Sequence, residues 1–292
     1  SITKYHFASY ARNLLKKRKL MEVETIQLET NDIPKKGFLF INRTTLIAYE
    51  LGTSDKSLIF SSSINGKMLN INDLNNLNEN GMIQCSINNN ESNLNDDSEL
   101  WSSFDYQFAG ELFIKENSRL RSYLFKSDQP IGIIENNKAF LSLPDQSINS
   151  YLENNLSITI QDSNLVEKNL FLIPDTQSLN NYDNIFVGSC RSLMNIPNMS
   201  TFGASYLILK AFLSSLGKGS FNKFIIISPN DSNAPSSSLS SYINLILSSK
   251  SASLSPESLN FNIGGIESTW SSHFPSPTTS KFLSKGIVIQ NF

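Results

Sequence analysis

Two short, uninterrupted apolar runs constrain the fold of this chain more than any other feature of its sequence. Residues 183–188 end at a glycine, and residues 223–228 end just before Pro229. Apolar runs of this length, closed by glycine or proline, are typical of strands that are buried on both faces, as in parallel sheets. We therefore predict two core strands, with Ile185 and Ile226 on adjacent parallel strands.

A helix over residues 203–216 is predicted between these two strands. Ser200 or Thr201 is the expected N-cap, and Gly217 and Gly219 are expected to end the helix. Strand, helix and strand in this order predict a βαβ unit with a right-handed crossover. The apolar stripe that supports the helix recurs at steps of three and four residues, as Tyr206, Leu209, Phe212, Leu213 and Leu216.

Shorter predicted elements surround this unit. Together they predict an α/β fold, in which a mostly parallel central sheet has helices on both faces and antiparallel hairpins are added at the N-terminal side. The predicted strands are 37–41, 45–49, 57–60, 82–87, 108–114, 120–125, 130–134, 139–143 and 169–173, and the predicted helices follow Asp145 and cover 239–247.

Tracts rich in Asn and Ser interrupt the apolar pattern, for example residues 70–80, 88–95 and 236–241. Such a composition predicts solvated loops or disorder, because few apolar side chains are available to offset the cost of ordering. The chain of 292 residues is long enough to bury one full core. The predicted organisation is a basic N-terminal arm over 1–22 and a single α/β domain over 23–292, with exposed polar excursions at 70–99 and 249–284.

Charge and cysteine content restrict the expected partners and compartment. The formal net charge of −2 gives no general attraction to nucleic acid. Cys85 and Cys190 lie far apart in the sequence, which predicts reduced thiols and a cytoplasmic protein. No apolar run approaches the roughly 20 residues of a membrane-spanning helix, so we predict no membrane span.

The first 20 residues are basic, with no acidic residue among them. This composition resembles a mitochondrial transit sequence. We favour a basic N-terminal arm, since Leu14, Leu15 and Leu20 run into the structured segment without an obvious cleavage boundary, and a mitochondrial location is the alternative. The basic residues are Lys4, Arg12, Lys16, Lys17, Arg18 and Lys19.

Side chains that could carry chemistry are few. His6 and His273 lie near opposite ends of the chain, and neither has a second ligand at metal-binding spacing. Cys190 follows the first apolar run, as a nucleophile would, but no histidine nearby in the sequence could act as its base. Gly217-Lys218-Gly219 follows a predicted helix and therefore indicates a C-cap, not a phosphate loop. We accordingly predict no catalytic residue, no metal and no cofactor.

The order of these elements resembles the larger subunit of the heterodimeric chaperone that assembles the proteasome α-ring, in its fungal form. The resemblance covers residues 130–248. It rests on the hairpin and helix at 130–156, the strand that ends at Ser189, the helix at 202–216, the strand at 224–228 and the helix at 239–247.

The resemblance implies a non-enzymatic assembly chaperone. Such a protein pairs with a homologous chaperone subunit and binds proteasome α-subunits. In that family the C-terminal tail docks between α-subunits through a hydrophobic-Tyr-x signature. Here the corresponding partner-binding residues are Ile289, Gln290, Asn291 and Phe292, with Asn291 where the family has tyrosine, so Ile289 and Phe292 are the apolar anchors.

Two other functions remain open from the sequence. The first is a small-molecule enzyme on a doubly wound sheet, which would use the crevice at the carboxyl ends of the strands near Ser189, Cys190 and Asp231. The second is a structural or accessory subunit of a mitochondrial complex, as the basic N-terminal residues indicate.

Overall fold

The structure, a computed structural model, describes residues 3–29, 33–64, 69–77, 81–87, 105–135, 138–143, 147–161, 163–175, 186–187, 193–194, 199–229, 236–249, 259–263 and 287–291. The chain divides into two compact units. The barrel unit comprises Ser1–His6 and Lys67–Pro197, and the mixed-sheet unit comprises Phe7–Gly66 and Asn198–Phe292. The predicted domain bounds, 1–22 and 23–292, stay a prediction.

The described helices and strands follow each other along both units. The helices are α1 (Lys4–Lys17), α2 (Thr25–Glu29), α3 (Ile148–Leu156), α4 (Met199–Ser215) and α5 (Ser236–Ser248). The strands are β1 (Met21–Glu22), β2 (Lys36–Ile41), β3 (Thr45–Glu50), β4 (Ser57–Ser63), β5 (Leu69–Leu77), β6 (Ile83–Ile87), β7 (Tyr106–Glu116), β8 (Arg119–Lys126), β9 (Gly132–Glu135), β10 (Lys138–Leu141), β11 (Leu165–Pro174), β12 (Phe186–Val187), β13 (Leu193–Met194), β14 (Asn222–Ser228), β15 (Leu259–Ile263) and β16 (Ile287–Asn291).

The barrel unit is built on an antiparallel sheet that closes on itself. Its strand order is β11-β5-β6-β10-β9-β7-β8, and β11 also pairs with β7, so six strands form a closed barrel to which β8 is added. Side chains from all these strands fill the interior, among them Ile71, Cys85, Phe108 and Leu172. Helix α3 packs on this core through Ile148 and Leu152.

The mixed-sheet unit contains a sheet with the order β1-β2-β3-β14-β4-β15-β16. The pairings β1–β2, β14–β4 and β4–β15 are parallel, and β2–β3, β3–β14 and β15–β16 are antiparallel. Phe224 and Ile226 of β14 pack with Ile243 and Leu247 of α5. Helix α4 lies against β4, β14 and β15. Neighbouring residues of a strand face opposite sides of a sheet. The fully buried β14 therefore packs against a helix on each side of the sheet.

The predicted fold class is wrong. The mixed sheet is half antiparallel, and the sheet of the barrel unit is entirely antiparallel and closed, whereas the prediction was a mostly parallel sheet with hairpins added. The predicted βαβ pairing also fails within the described residues. There β12 pairs antiparallel with β13, while β14 pairs with β3 and β4, from far earlier in the chain, and Ile185 lies outside those residues.

Several local predictions are confirmed by the structure. The hairpin of β2 and β3 turns at Asn42 and Arg43, both with positive φ. The strands predicted at 108–114, 120–125, 130–134 and 139–143 correspond to β7, β8, β9 and β10, and these form the antiparallel pairs β7–β8 and β9–β10. Two polar tracts are exceptions, because both were predicted as loop or disorder. Residues 236–241 lie in α5, and residues 70–77 of the Asn-rich tract lie in β5. Within the Asn-rich tract Ile71 is fully buried between polar neighbours, as expected for a strand, in which successive side chains point to opposite faces.

Candidate functional site

The carboxyl ends of the three parallel neighbours β14, β4 and β15 lie at one edge of the mixed sheet. In this register Ser63 of β4 is opposite Ser228 of β14, and the backbone N–H of Ile64 donates to the carbonyl oxygen of Ser228 at 2.8 Å. Ligands of open sheets with parallel strands bind outside the carboxyl ends of those strands. We call this edge, from Ser61 to Ile64 and at Ser228, the carboxyl edge; it is the candidate site.

Serine hydroxyl groups line the described part of the carboxyl edge. The Ser62 Oγ lies 2.9 Å from the Ser205 Oγ, and both side chains are fully buried. This hydrogen bond joins α4 to β4. The Ser228 Oγ donates to the carbonyl oxygen of Pro229 at 2.9 Å. Hydroxyl groups of this kind can bind and orient a polar ligand, but a serine becomes a nucleophile only beside a general base.

Charged groups gather at the opposite end of the same strands, which we call the amino edge. Glu50 is 5% exposed and forms ion pairs with Lys223 and Lys36, each at 2.9 Å. The backbone N–H of Gly217 also donates to the Glu50 carboxylate, at 2.7 Å. Burial raises the pKa of Glu50, but the hydrogen bonds from Lys223, Lys36 and Gly217 outweigh it, so the pKa lies below its ordinary value.

The ammonium group of Lys223 also ends helix α4. It donates to the carbonyl oxygens of Ser215, the last helical residue, and of Lys218, in the turn that follows. A cation here satisfies carbonyl groups that lack a partner within the helix and opposes the negative end of its dipole. Gly217 and Gly219 both have positive φ, so the predicted glycine stop of this helix is confirmed.

At the amino edge Asn222, the first residue of β14, binds the loop between β3 and β4. Its Oδ1 accepts from the backbone N–H of Gly52 at 3.0 Å, and its Nδ2 donates to the carbonyl oxygen of Ser54 at 3.1 Å. That loop approaches the loop before β14 so closely that a Cβ on Gly52 would lie 1.9 Å from the carbonyl oxygen of Ser220. Glycine is therefore required at position 52.

The part of the chain that the structure describes contains no group of three or more His, Cys, Asp or Glu that could hold a metal ion. His6 is hydrogen-bonded to Thr3 through its Nδ1, at 2.8 Å. Burial, and to a lesser extent the charge of Lys126, lowers the pKa of His6 to about 4. His6 is therefore a neutral, structural histidine near neutral pH. Ser189, Cys190 and His273, which the sequence analysis weighed, lie outside the described residues.

The predicted partner-binding tail is part of a strand. Ile289, Gln290 and Asn291 pair with Phe261, Asn260 and Leu259 in β15, and Phe292 lies outside the described residues. Partner binding by these residues stays a prediction.

The groups that define the two edges were missed by reasoning from the sequence. A run of three serines follows the apolar residues 58–60, and this polar end of a buried strand was the available signal for Ser62. Glu50 and Lys223 are 173 positions apart, and no local pattern relates them.

Comparison with known proteins gives matches among solved structures alone. No family model and no curated protein matches the sequence. The crystal structure of yeast aminopeptidase 1 matches with a TM-score of 0.70 at 15% identity, over 95% of this chain and 74% of the other. The dodecamer of mApe1 from S. cerevisiae matches with a TM-score of 0.66 at 16% identity, over 85% and 63%. Aminopeptidase I from Borrelia burgdorferi B31 matches with a TM-score of 0.65 at 14% identity, over 90% and 68%.

These likenesses overturn the interpretation as a proteasome assembly chaperone. The three matching structures named above are aminopeptidases, and the prediction of a non-enzymatic protein is wrong together with that interpretation. The predicted heterodimer with a homologous chaperone subunit and the predicted proteasome α-subunit partners are also wrong, since the neighbours are an aminopeptidase I dodecamer and a complex of Ape4 with Nbr1. The resemblance rested on the order of elements over residues 130–248, and this order does not determine that β14 lies between β3 and β4.

The chain spans 63% of the length of the dodecameric S. cerevisiae protein. Within the described residues, no helix has the length and apolar character needed to cross a membrane. At these levels of sequence identity the comparison concerns the fold, and that fold is similar to the fold of aminopeptidase I.

Proposed function

We propose that this chain is a peptidase-like domain that acts on the N-terminal end of peptides at its carboxyl edge. The observation that carries the proposal is the likeness to yeast aminopeptidase 1, which extends over 95% of this chain. The position of the site is supported by the shared edge at which β14, β4 and β15 end, because such an edge is where proteins with parallel strands bind ligands.

Hydrolysis of a peptide bond requires an activated nucleophile, which is a metal-bound water or a side chain beside a base. The described residues do not fit a metal ion, and no step is assigned to one. In this proposal the buried hydrogen bond between Ser62 and Ser205 holds α4 on β4 and so positions the carboxyl edge at which a peptide binds. The acid or base comes from a residue that follows one of the three strands in the sequence. Asp231 is the nearest such residue to β14, three positions after Ser228.

The test is an aminopeptidase assay on the purified protein. Peptides with different N-terminal residues are incubated with it, with zinc, cobalt or manganese ions and separately with a chelator, and the release of the first amino acid is followed by mass spectrometry. We expect release of single N-terminal residues and its loss in Asp231→Asn. No release under any of these conditions would overturn the proposal.

Two matched serine variants locate the site. Ser57 and Ser62 are both buried in β4, at its two ends. Each Ser→Ala change removes a hydroxyl group and is expected to lower the free energy of unfolding by about 1 kcal/mol. We expect only Ser62→Ala to lower kcat/KM, by about tenfold, since Ser57 lies at the amino edge. An equal loss of kcat/KM in Ser57→Ala would place the site elsewhere.

A further inference from the structure

Helix α4 exposes two adjacent large apolar side chains on its outward face. Its inward face consists of buried residues such as Leu209 and Phe212, and its outward face exposes Tyr206 by 41% and Leu207 by 66%. Lys210 is the charged residue of that face. Helix α5 in the same unit follows the usual pattern, with Asn244 and Ser248 exposed beside a less exposed Leu245, at 37%. A helix that is apolar on both faces is typical of one that is covered on both.

Helix α1 extends this apolar surface. Tyr10 of α1 is 41% exposed, and its ring centroid lies 6.2 Å from that of Tyr206, with 33° between the planes. The Lys210 Nζ lies 5.3 Å from the centre of the Tyr206 ring. Tyr10, Tyr206, Leu207 and Lys210 form what we call the α1–α4 patch. Tyrosine rings held in place by neighbours lose little side-chain entropy on binding, which is why tyrosine is enriched in the energetic centres of protein interfaces.

The charge around the patch selects the partner. Neither α1 nor α4 contains an acidic residue, while α1 contributes Arg12, Lys16 and Lys17, and α4 contributes Lys210. Glu22 forms ion pairs with Arg12 and Lys16, so Lys17 and Lys210 are the exposed cations of these two helices for which no ion pair is described. A second copy of the same patch would place cation against cation, whereas an acidic segment would complement it.

We propose that the α1–α4 patch binds an acidic peptide segment of another protein, one that has apolar side chains between its carboxylates. The apolar side chains contact Tyr10, Tyr206 and Leu207, and the carboxylates pair with Lys210 and Lys17. Tyr206 and Leu207 follow Ser205 directly in α4, but they are exposed whereas Ser205 is fully buried, so the patch is on the outer face of the helix whose inner face contacts the carboxyl edge. The single strongly exposed aliphatic side chain, Leu207, favours a peptide over insertion into a lipid surface, which takes a broader apolar face.

The test uses a displayed library of random peptides selected against the purified protein. We expect the enriched peptides to be acidic and to contain apolar residues. Their affinity should fall by about tenfold or more in Leu207→Ser and in Lys210→Glu. Leu245→Ser on α5 is the matched control and should bind like the original protein. Thermal unfolding of the three variants verifies that each is folded.

Other outcomes would overturn the proposal. These are the absence of enriched peptides, enrichment of neutral or basic peptides, and equal binding by the Leu207→Ser and Leu245→Ser variants. Two more measurements address other occupants of the patch. Binding to vesicles of phosphatidylcholine and phosphatidylserine that Leu207→Ser abolishes would assign the patch to a membrane surface. A dimer in sedimentation that Leu207→Ser dissociates would assign it to a second copy of the chain.

Discussion

The two ends of strands β4 and β14 are made of the same backbone but differ in chemistry. The amino edge is closed by the buried ion pair of Glu50 and Lys223 and by the loop contacts of Asn222. At the carboxyl edge a neutral hydrogen bond between Ser62 and Ser205 joins helix to sheet. Charge-assisted contacts are stronger than neutral ones, so stability is concentrated at one end of the sheet. The other end can then change its side chains at lower cost, which suits a binding site.

The largest expected loss of stability comes from removing the Lys223 ammonium group. Lys223→Met removes the more buried of the two cations that pair with the Glu50 carboxylate, and it removes one of the donors to the Ser215 carbonyl oxygen. We expect the free energy of unfolding to fall by about 3–5 kcal/mol, measured by denaturant unfolding. Lys210→Met, at an exposed position, is the control and should cost under about 0.5 kcal/mol. Equal costs for the two variants would show that the amino edge is not the stabilising end.

A smaller effect is expected where the loops of the amino edge meet. Gly52→Ala introduces a Cβ at 1.9 Å from the Ser220 carbonyl oxygen, so one loop must move. The expected loss is about 1–3 kcal/mol in unfolding free energy. Gly203→Ala in α4 is the matched control, since its Cβ would contact nothing within 4 Å, and alanine should stabilise that helix by about 0.5–1 kcal/mol. A neutral Gly52→Ala would contradict the close approach of the two loops.

The pH dependence sharpens the comparison further, with the smallest expected effect. The folded-state pKa of Glu50 lies below its ordinary value of 4.5. The stability from this carboxylate is therefore fully present above pH 4.5 and is lost as the pH falls through the folded-state pKa. Unfolding midpoints measured over this acidic range should fall less steeply in Glu50→Gln than in the original protein. Ser62→Ala should keep the original slope, because its hydroxyl does not titrate there. If Glu50→Gln keeps that slope as well, the ion pair does not control acid stability.

Local structure could be predicted from the sequence because it depends on nearby residues. The predicted strand at residues 223–228 and the predicted helix at 203–216 correspond to β14 and α4. The apolar stripe predicted for the buried face of this helix was partly wrong. Tyr206 was placed on the buried face and is exposed, and Ile208 is buried instead. In a helix that is apolar all round, the spacing alone does not tell which face meets the sheet.

Strand partners could not be predicted in the same way. An apolar run such as β14 indicates burial on both faces, but it carries no sign of its neighbours β3 and β4 or of their directions. Both edges of the mixed sheet depend on that pairing, because it brings Glu50 to Lys223 and Ser63 to the level of Ser228. The fold class and the candidate site were therefore both out of reach from the sequence, for one physical reason.

The clamp on the last turn of α4 has a mechanical consequence. That end of the helix is tied to the sheet by a shared ammonium group, whereas Ser205, near its first turns, is joined to β4 by a neutral hydroxyl group. A force applied to the exposed side of the helix would therefore swing its leading end about a fixed pivot at Ser215. Small rotations of the helix about this pivot would first lengthen the hydrogen bond between the hydroxyl groups of Ser62 and Ser205.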